Sequence, residues 1–296
     1  MTLGKLLKKA SEYLFERNVE DPSLEAGLLL SWLLKKDVGY IYANPEIVLD
    51  DEKEKEYLSI VERRGRHEPY AYITGECGFL DYTFYVDPNV LIPRGDTELL
   101  AQSALYALGQ QPAFFNQDMF RLNKKKQYKV LDIGTGSGCL AVSIAKGHAS
   151  AFVDAVDISV NALDIARKNA ERYGVQEKIN FINADFLDKS IVLSGDYDLI
   201  VSNPPYIPIK EMPYLMESVR NYEPYNALAA GEDGLIFYHE IAKRAASLLL
   251  DSGIIIVECG YNQGHEISEM FFDKGFITLL LKDLSGINRV VAATKK

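Results

Sequence analysis

The sequence predicts an α/β fold: a mostly parallel β-sheet, covered by helices on both faces, that follows a small N-terminal helical bundle and a connecting β-hairpin. Three observations carry this expectation. From residue 129 on, apolar strand-like runs alternate with amphipathic helices, the pattern of parallel strands joined by helical crossovers. Before residue 70 the apolar residues recur at helical spacing. Between the two lies a short aromatic-rich stretch broken by glycine and proline. The implied division is a helical domain over 1–70, a hairpin linker over 71–94 and a sheet domain over 95–296.

Leu3, Leu6, Leu7, Ala10 and Leu14 share one helical face, so the chain opens on a helix. Asp21 and Pro22 read as a cap and a first-turn proline for a second helix, through the apolar run Leu24 to Leu34. Asp50 and Asp51 open a third, charged helix ending near Arg66. This bundle holds no constellation of reactive groups and reads as a structural or docking module. In "YITGECGFLDYTFYVDPNVLIPR", Tyr82, Phe84 and Val86 alternate, and Gly75, Gly78, Pro88 and Pro93 mark turns, as in a hairpin. Asp96 and Thr97, with Glu98 just beyond, start a helix over Leu99 to Leu108. Residues 109–128 are polar and irregular, and the three lysines of "NKKKQYK" read as a solvated loop. Strands are then expected at "YKVLDIG", "AFVDAVDI", "KINFINAD", "YDLIVSN" and "GIIIVECG". Helices are expected at Cys139 to Lys146, Asn161 to Tyr173, "GLIFYHEIAKRAASLLL" and "GHEISEMFFDKG". "FITLLLKD" and "NRVVAAT" close the chain with no helix between them, which predicts a terminal hairpin and one antiparallel strand.

Composition narrows the function classes. With 48% hydrophobic and 25% charged residues the chain is an ordinary soluble globular protein. Its net charge of −10 lacks the basic footprint of a protein that grips naked nucleic acid. Cys77, Cys139 and Cys259 are far apart and form no disulfide framework, which points to a reducing cytoplasm. The four histidines are scattered without metal-ligand spacing, so no metal is expected. The N-terminus reads as no signal peptide, and "GLLLSWLL" is too short to span a bilayer.

"VLDIGTGSGCLA" is a strand, a glycine turn and a helix. Gly134, Gly136 and Gly138 permit a tight turn and close approach of a ligand to the backbone. Cys139 stands where the dinucleotide fingerprint needs its last glycine, which disfavours NAD and FAD. Asp157 ends the second strand, where a carboxylate can accept both ribose hydroxyls. Asp185 and Phe186 end the third, an acceptor for an adenine amino group and a ring to stack on it. Asp132, just before the glycines, can face a ligand ammonium directly or through water. Carboxyl ends of successive strands are where open α/β sheets bind ligands. These residues resemble the class I methyltransferases that bind S-adenosylmethionine. The resemblance implies a seven-stranded Rossmann-like sheet with its last strand antiparallel. It implies a donor-binding set of Asp132, Gly134, Thr135, Gly136, Ser137, Gly138, Asp157, Ile158, Asp185, Phe186 and Asn203.

In such a sheet the strand "YDLIVS" lies beside the first, and its end, Asn203-Pro204-Pro205-Tyr206, faces the reactive centre. A planar NH₂ is a weak nucleophile because its lone pair is delocalised. Two acceptors, the Asn203 side-chain oxygen and the Pro204 carbonyl, can hold its two hydrogens, aim the nitrogen and favour the positive charge that moves onto it. Proline fixes φ and brings no competing N–H, and Tyr206 offers a flat face. Asn203, Pro204 and Tyr206 are therefore the expected catalytic residues.

The motif alone is shared by amino-methyltransferases of adenine, of guanine in RNA and of glutamine. The whole chain resembles the protein-(glutamine-N5) methyltransferases of peptide-chain release factors, the PrmC/HemK family. The pieces that carry this are the helical N-terminus, "RRGRHEPYAYITG", "VLIPRGDTELL", "VLDIGTGSGC", "VSNPPYI", "YEPYNALAAGEDGL" and "GINRVVAAT". Gly95 stands where the family commonly has proline. The resemblance implies methyl transfer to the glutamine of the Gly-Gly-Gln motif of class 1 release factors, which would be the protein partner. Asn203, Pro204, Pro205, Tyr206, Arg94 and Glu223 would contact the substrate, and Glu223 would order a loop beside it. Pro93, Arg94, Thr97 and Glu98 would line the floor near the donor, and the helical domain and hairpin would help to grip the release factor. A monomer is expected, with no membrane partner and no direct nucleic-acid substrate. The alternatives are an N6-adenine DNA or guanine-N2 RNA amino-methyltransferase, and a non-catalytic release-factor-binding protein. The acidic balance disfavours the former, and the intact Asn203, Pro204 and Tyr206 the latter.

Overall fold

Alternating apolar runs in the second half of the chain become one seven-stranded sheet in the computed structural model, which describes residues 1–110 and 118–295. Residues 111–117, within the segment expected to be irregular, lie outside the described residues. The chain forms two units, Met1–Glu76 with Met216–Tyr222, and Cys77–Leu215 with Glu223–Lys296.

The first unit contains helices α1 (Leu3–Phe15), α2 (Pro22–Leu34), α3 (Val38–Ala43), α4 (Asp51–Gly65) and α5 (Tyr70–Thr74). Leu3, Leu6, Leu7, Ala10 and Leu14 of α1 all enter its core, with Leu29, Leu30 and Tyr57. The Tyr57 hydroxyl finds the Ala26 carbonyl at 2.9 Å, so the buried ring leaves no polar atom stranded. Asp50 caps α4 by accepting from the Lys53 amide at 2.8 Å, as its sequence position predicts. Asp21 does not cap α2: its backbone is left-handed (φ 45°) and its side chain makes no capping bond, leaving Pro22 as the start signal. The six-residue α3 and five-residue α5 are too short to show a helical period and were not anticipated.

Hairpin strands β1 (Glu76–Phe79), which belongs to the second unit from Cys77 on, and β2 (Tyr82–Tyr85) come next, followed by α6 (Gly95–Ala107). Side chains complete the β2 edge. The Asn169 amide and the Tyr173 hydroxyl each donate to and accept from the backbone of Tyr85 and Thr83, at 2.7–2.9 Å. The sheet contains β3 (Tyr128–Ile133), β4 (Ala151–Asp157), β5 (Ile179–Asn183), β6 (Tyr197–Ser202), β7 (Leu249–Glu258), β8 (Phe276–Lys282) and β9 (Asn288–Lys295). Their order is β5-β4-β3-β6-β7-β9-β8. All pairs are parallel except those of β9, which runs antiparallel to both β7 and β8. Helices α7 (Cys139–Gly147), α8 (Val160–Arg172), α9 (Glu217–Tyr222), α10 (Ile236–Leu248) and α11 (Gly264–Asp273) complete the chain, with α9 in the first unit.

Alternate residues of the central strands feed two cores. Val130, Leu199, Ile254 and Ile256 pack with α6 and α7, while Leu131, Ile200, Ile255 and Val257 pack with α10 and α11. Burial on both faces is why these strands read as continuous apolar runs. The loop lysines are mostly exposed, but Lys125 reaches back to the buried Asp198.

Helix α6 starts at Gly95, four residues before the expected Leu99, so Asp96 and Thr97 lie in its first turn, and Thr97 is buried. Gly95 occupies the first helical position, where proline is pre-organised and its missing N–H costs nothing. Arg94 before it is extended (φ −106°, ψ 152°), the conformation a residue before proline prefers. A Cβ built at Gly95 meets no heavy atom within 4 Å. Gly95→Pro is predicted to raise stability by about 0.4–1 kcal/mol through the unfolded state. Urea denaturation should show a higher midpoint with an unchanged slope, and a lower midpoint would contradict this account of the helix start.

Candidate active site

Register places the site. Val156, Ile133, Ser202 and Val257 are partners across β4, β3, β6 and β7. The residues that follow them, Asp157, Gly134, Asn203 and Glu258, therefore stand in a row at the carboxyl edge of the sheet. The Ser202 hydroxyl donates to the Ile133 carbonyl at 2.7 Å and locks the two central strands together at that level.

On the β3 side, Gly134, Gly136 and Gly138 have φ of 72°, 54° and 79°, a left-handed run that other residues adopt at a cost. A Cβ at Gly134 meets nothing within 4 Å, so the turn opens upward to free space. A Cβ at Gly138 would lie 3.0 Å from the Ala166 Cβ, so this glycine serves the approach of α7 to α8. The Asp157 carboxylate accepts from the Gly136 amide at 2.8 Å and the Ser159 amide at 2.9 Å, tying the end of β4 to the turn. Burial raises its pKa, and these backbone bonds oppose the rise. Asp132 lies beneath the turn, fully buried, and accepts from the Thr135 hydroxyl at 2.7 Å. Its Oδ1 has no partner among the described residues. Burial pushes this carboxyl up to about 7, against the bond from Thr135. Ser137 is buried and gives its carbonyl to the Asn169 amide, whereas Ile158 is exposed beyond Asp157. Asp185 accepts from the Leu187 amide at 2.8 Å, closing the turn after β5.

Phe186 requires a correction. Its ring is only 4% exposed, packs in the core and lies under the Arg244 guanidinium at 4.7 Å. A ring so buried, with a cation on one face, is not open to stack on a ligand ring.

On the β6 side, Asn203 donates its Nδ2 to the Thr97 hydroxyl at 3.0 Å. Its Oδ1 is thereby turned to the opposite end of the carboxamide. Pro204 is buried, and Pro205 and Tyr206 are half-buried. Burial, with the Glu258 charge, pushes the Tyr206 hydroxyl up to about 12, so the ring stays neutral. The loop is clamped from behind. Gln263 donates to the Tyr206 carbonyl at 3.0 Å and to the Gly234 carbonyl at 3.4 Å, and accepts from the Gly260 amide at 3.0 Å. Ile207 exchanges backbone bonds with Leu228 and Ala230. Arg94 pairs with the buried Glu223. Burial raises the Glu223 pKa against the Arg94 charge.

Thr97 holds Asn203, Gln263 holds the Tyr206 segment, and Glu258 ends β7, the strand paired with β6. Glu258 is 2% exposed, and burial pushes it up to about 7. Neither Glu258 nor Gln263 was anticipated. The available signal was a polar residue ending the apolar run "GIIIVE", the pattern already seen in "VLD" and "DLIVSN". A cleft at the opposite end of the strands holds Lys129, Asp154, Lys178 and Asp198. Each is engaged by its neighbours, so they serve the fold. Among the described residues no group of His, Cys, Asp and Glu is placed to hold a metal ion. No helix among them is long and apolar enough to cross a membrane.

Residues 5–75 match the family model of the PrmC N-terminal domain, and residues 119–217 that of the methyltransferase small domain. The chain is similar to the release factor glutamine methyltransferase of Clostridium acetobutylicum, 35% identical over 100% of this chain and 99% of that protein. It is 36% identical to the bifunctional methyltransferase of Rickettsia bellii over 98% of its own length, but spans only 54% of that longer protein. Among solved structures, the hMettl16 catalytic domain in complex with a MAT2A 3'UTR hairpin aligns over 90% of this chain and 91% of that one. The TM-score is 0.55 and the identity 14%, a likeness of fold. Sheet order, glycine turn and the row of polar strand ends define a class I methyltransferase that uses S-adenosylmethionine. The full-length similarity is more specific still: the chain belongs to the release factor glutamine methyltransferase family.

The raised acids set a pH dependence. Asp132 and Glu258 have ordinary values of 3.8 and 4.5 and folded values of about 7. Between those limits the folded chain keeps protons that the unfolded chain releases, so their contribution to stability is lost as pH rises through about 7. The ligand-free Asp132→Asn protein should lose less stability between pH 5 and pH 8 than the unmodified protein in chemical denaturation. An equal or larger loss would contradict the buried-acid assignment.

Proposed function

We propose that the protein transfers a methyl group from S-adenosylmethionine to the side-chain amide nitrogen (N5) of the glutamine in the Gly-Gly-Gln motif of class 1 peptide chain release factors. The observation that carries this reading is the Asn203 carboxamide. Its NH₂ end is held by Thr97 and its oxygen is left to accept, one strand away from an open glycine turn.

The residues present fit the donor. The open space above Gly134, the Asp157 carboxylate and the orphaned Asp132 Oδ1 are what a ligand with a ribose and an ammonium group requires. Asp157 would accept the ribose hydroxyls and Asp185 the adenine amino group, while Ile158 would cover the ring in place of Phe186. Asp132, fully buried, would reach the ammonium through water while holding Thr135. When bound, S-adenosylmethionine supplies an electrophilic methyl group on a sulfonium. Asn203 Oδ1 and the Pro204 carbonyl accept the two hydrogens of the glutamine NH₂ and aim its nitrogen. Tyr206, neutral because it is buried, gives an apolar face to the planar amide. Orientation of this kind is worth up to about 7–11 kcal/mol of barrier. No strong base is needed, because the proton leaves readily once the nitrogen is alkylated.

Arg94 and Glu223 would shape the 92–94 loop that the substrate passes. The net charge of −10 suits a protein substrate better than nucleic acid. Three unpaired cysteines fit the reducing cytoplasm, where release factors act.

Peptide mapping by mass spectrometry after incubation of a release factor with the protein and S-adenosylmethionine tests the reading. One added methyl on the Gly-Gly-Gln glutamine is expected, and labelled donor should leave DNA and RNA unmarked. Methylated nucleic acid with unmodified release factor would overturn it. Asn203→Ala should lower transfer by about 10²-fold or more and leave donor affinity nearly unchanged. Parallel loss of donor binding would contradict its role. Asp157→Ala should mainly weaken the donor, and calorimetry showing unchanged affinity would remove the ribose assignment.

A further inference from the structure

We propose that Gln263 is a positioning residue for methyl transfer: its side-chain amide fixes the Tyr206 carbonyl and so holds the Asn203 and Pro204 acceptors in place. This rests on the proposed role of Asn203 and Pro204 and supplies what keeps them still. Asn203, Pro204 and Pro205 span two fixed points. Before them, Ser202 is tied to β3, its hydroxyl on the Ile133 carbonyl at 2.7 Å. After them, the Tyr206 carbonyl accepts from Gln263 Nε2 at 3.0 Å. The two prolines between have no N–H to bond and a φ set by their rings. A stiff span of this kind takes its aim from its ends. Thr97 steadies the Asn203 side chain, whereas the Pro204 carbonyl, a backbone group, goes where the span goes.

The Gln263 amide joins three segments. Nε2 donates to the Tyr206 carbonyl and to the Gly234 carbonyl at 3.4 Å, and Oε1 accepts from the Gly260 amide at 3.0 Å. Its orientation is not free. The partners are backbone groups of fixed polarity, two carbonyls at one end and an N–H at the other, so a turned amide would lose all three bonds. Gln263 is buried, which keeps water from competing. It stands at the N-cap of α11 yet makes no capping bond to that helix, so its side chain is spent on the Tyr206 loop instead. Its own backbone is firm: its carbonyl accepts from the Ile267 amide at 3.0 Å, and Ile267 and Phe271 of α11 lie in the core. Two glycines make room for the amide. A Cβ at Gly260 would lie 2.7 Å from Gln263 Oε1. One at Gly234 would lie 2.7 Å from Nε2 and collide with the Tyr206 carbonyl. Beyond the clamp, Ile207 bonds Leu228 and Ala230 and Ile209 bonds Gly231, so the exit of the loop is held as well.

Gln263 acts through the loop and not on the reacting atoms, and its test separates positioning from folding. Gln263→Leu keeps most of the bulk and removes all three bonds. It is expected to lower kcat for release-factor methylation by about 10²-fold, the scale of a small misplacement at the reacting centre. The KM for release factor and the calorimetric Kd for S-adenosylmethionine should stay within about threefold. Gln263→Glu adds a pH signature. An ionised carboxylate only accepts and would face two carbonyls that also only accept, whereas the protonated acid regains a donor for Tyr206. Its kcat, taken relative to the unmodified protein at the same pH, should rise about tenfold from pH 8 to pH 6, because burial raises a carboxyl's pKa toward this range. Gln263→Leu should show no such rise.

An unchanged kcat in a folded Gln263→Leu protein would overturn the positioning role, as would a donor affinity that falls in step with kcat. If Gln263→Leu does not fold, Gln263→Glu decides, and a relative kcat depressed equally at pH 6 and pH 8 would overturn the role. An active Asn203→Ala protein would remove the proposed function itself. An inactive Asn203→Ala beside a fully active Gln263→Leu would remove the positioning role alone.

Discussion

Ile133 and Ser202 stand opposite each other on the two central strands, and this pairing decides where everything else in the site falls. The next residues are Gly134 and Asn203, so the glycine turn and the amide leave the sheet side by side. Extending the row by one strand each way adds Asp157 and Glu258. A slip of one residue in a parallel strand would turn its side chains to the other face of the sheet. Both faces are buried here, with alternate residues committed to separate cores, so the register is held on two sides at once. The rigidity of a large hydrophobic core is in this way passed to a few polar atoms at its edge.

The distribution of buried acids follows the same division between scaffold and site. At the amino end of the strands, Asp198 accepts from the Lys129 amide at 2.9 Å and pairs with Lys125, so its burial is balanced. At the carboxyl end, Asp132, Glu223 and Glu258 each keep one oxygen without a partner among the described residues. All three have raised pKa values because burial disfavours their charge. Such acids are weak contributors to stability and strong sources of local field. On the proposed function, that edge is the one where donor and substrate meet. Asp132 holds the Thr135 hydroxyl of the turn and Glu223 pairs with Arg94.

Much of this was legible in the sequence because the signals are local. All seven sheet strands stand out as apolar runs, and the final hairpin follows from two runs with no helix between them. The Gly134 turn, Asp157 and Asn203 are visible because a buried strand has no structural reason to end on such residues. What stayed hidden depends on contacts between distant segments. Asn203 lies 106 positions from Thr97, and nothing local to either shows that they meet. Gln263 looks like an ordinary residue before a helix until the Tyr206 carbonyl is found beside it. Phe186 shows the converse failure: its place at a strand end suggested stacking on a ligand, but Arg244, from α10, already covers the ring. Asp21 had the composition of a cap and the wrong backbone conformation for one. Helices α3 and α5 are shorter than the window in which periodicity can be read.

The central claim is geometric, and a structure of the protein with S-adenosylhomocysteine and a release factor tests it most directly. The account predicts the glutamine side-chain nitrogen within about 3 Å of both Asn203 Oδ1 and the Pro204 carbonyl, with Asn203 Nδ2 still on Thr97. It would be contradicted by a glutamine bound away from residue 203, or by an Asn203 that turns its NH₂ toward the substrate.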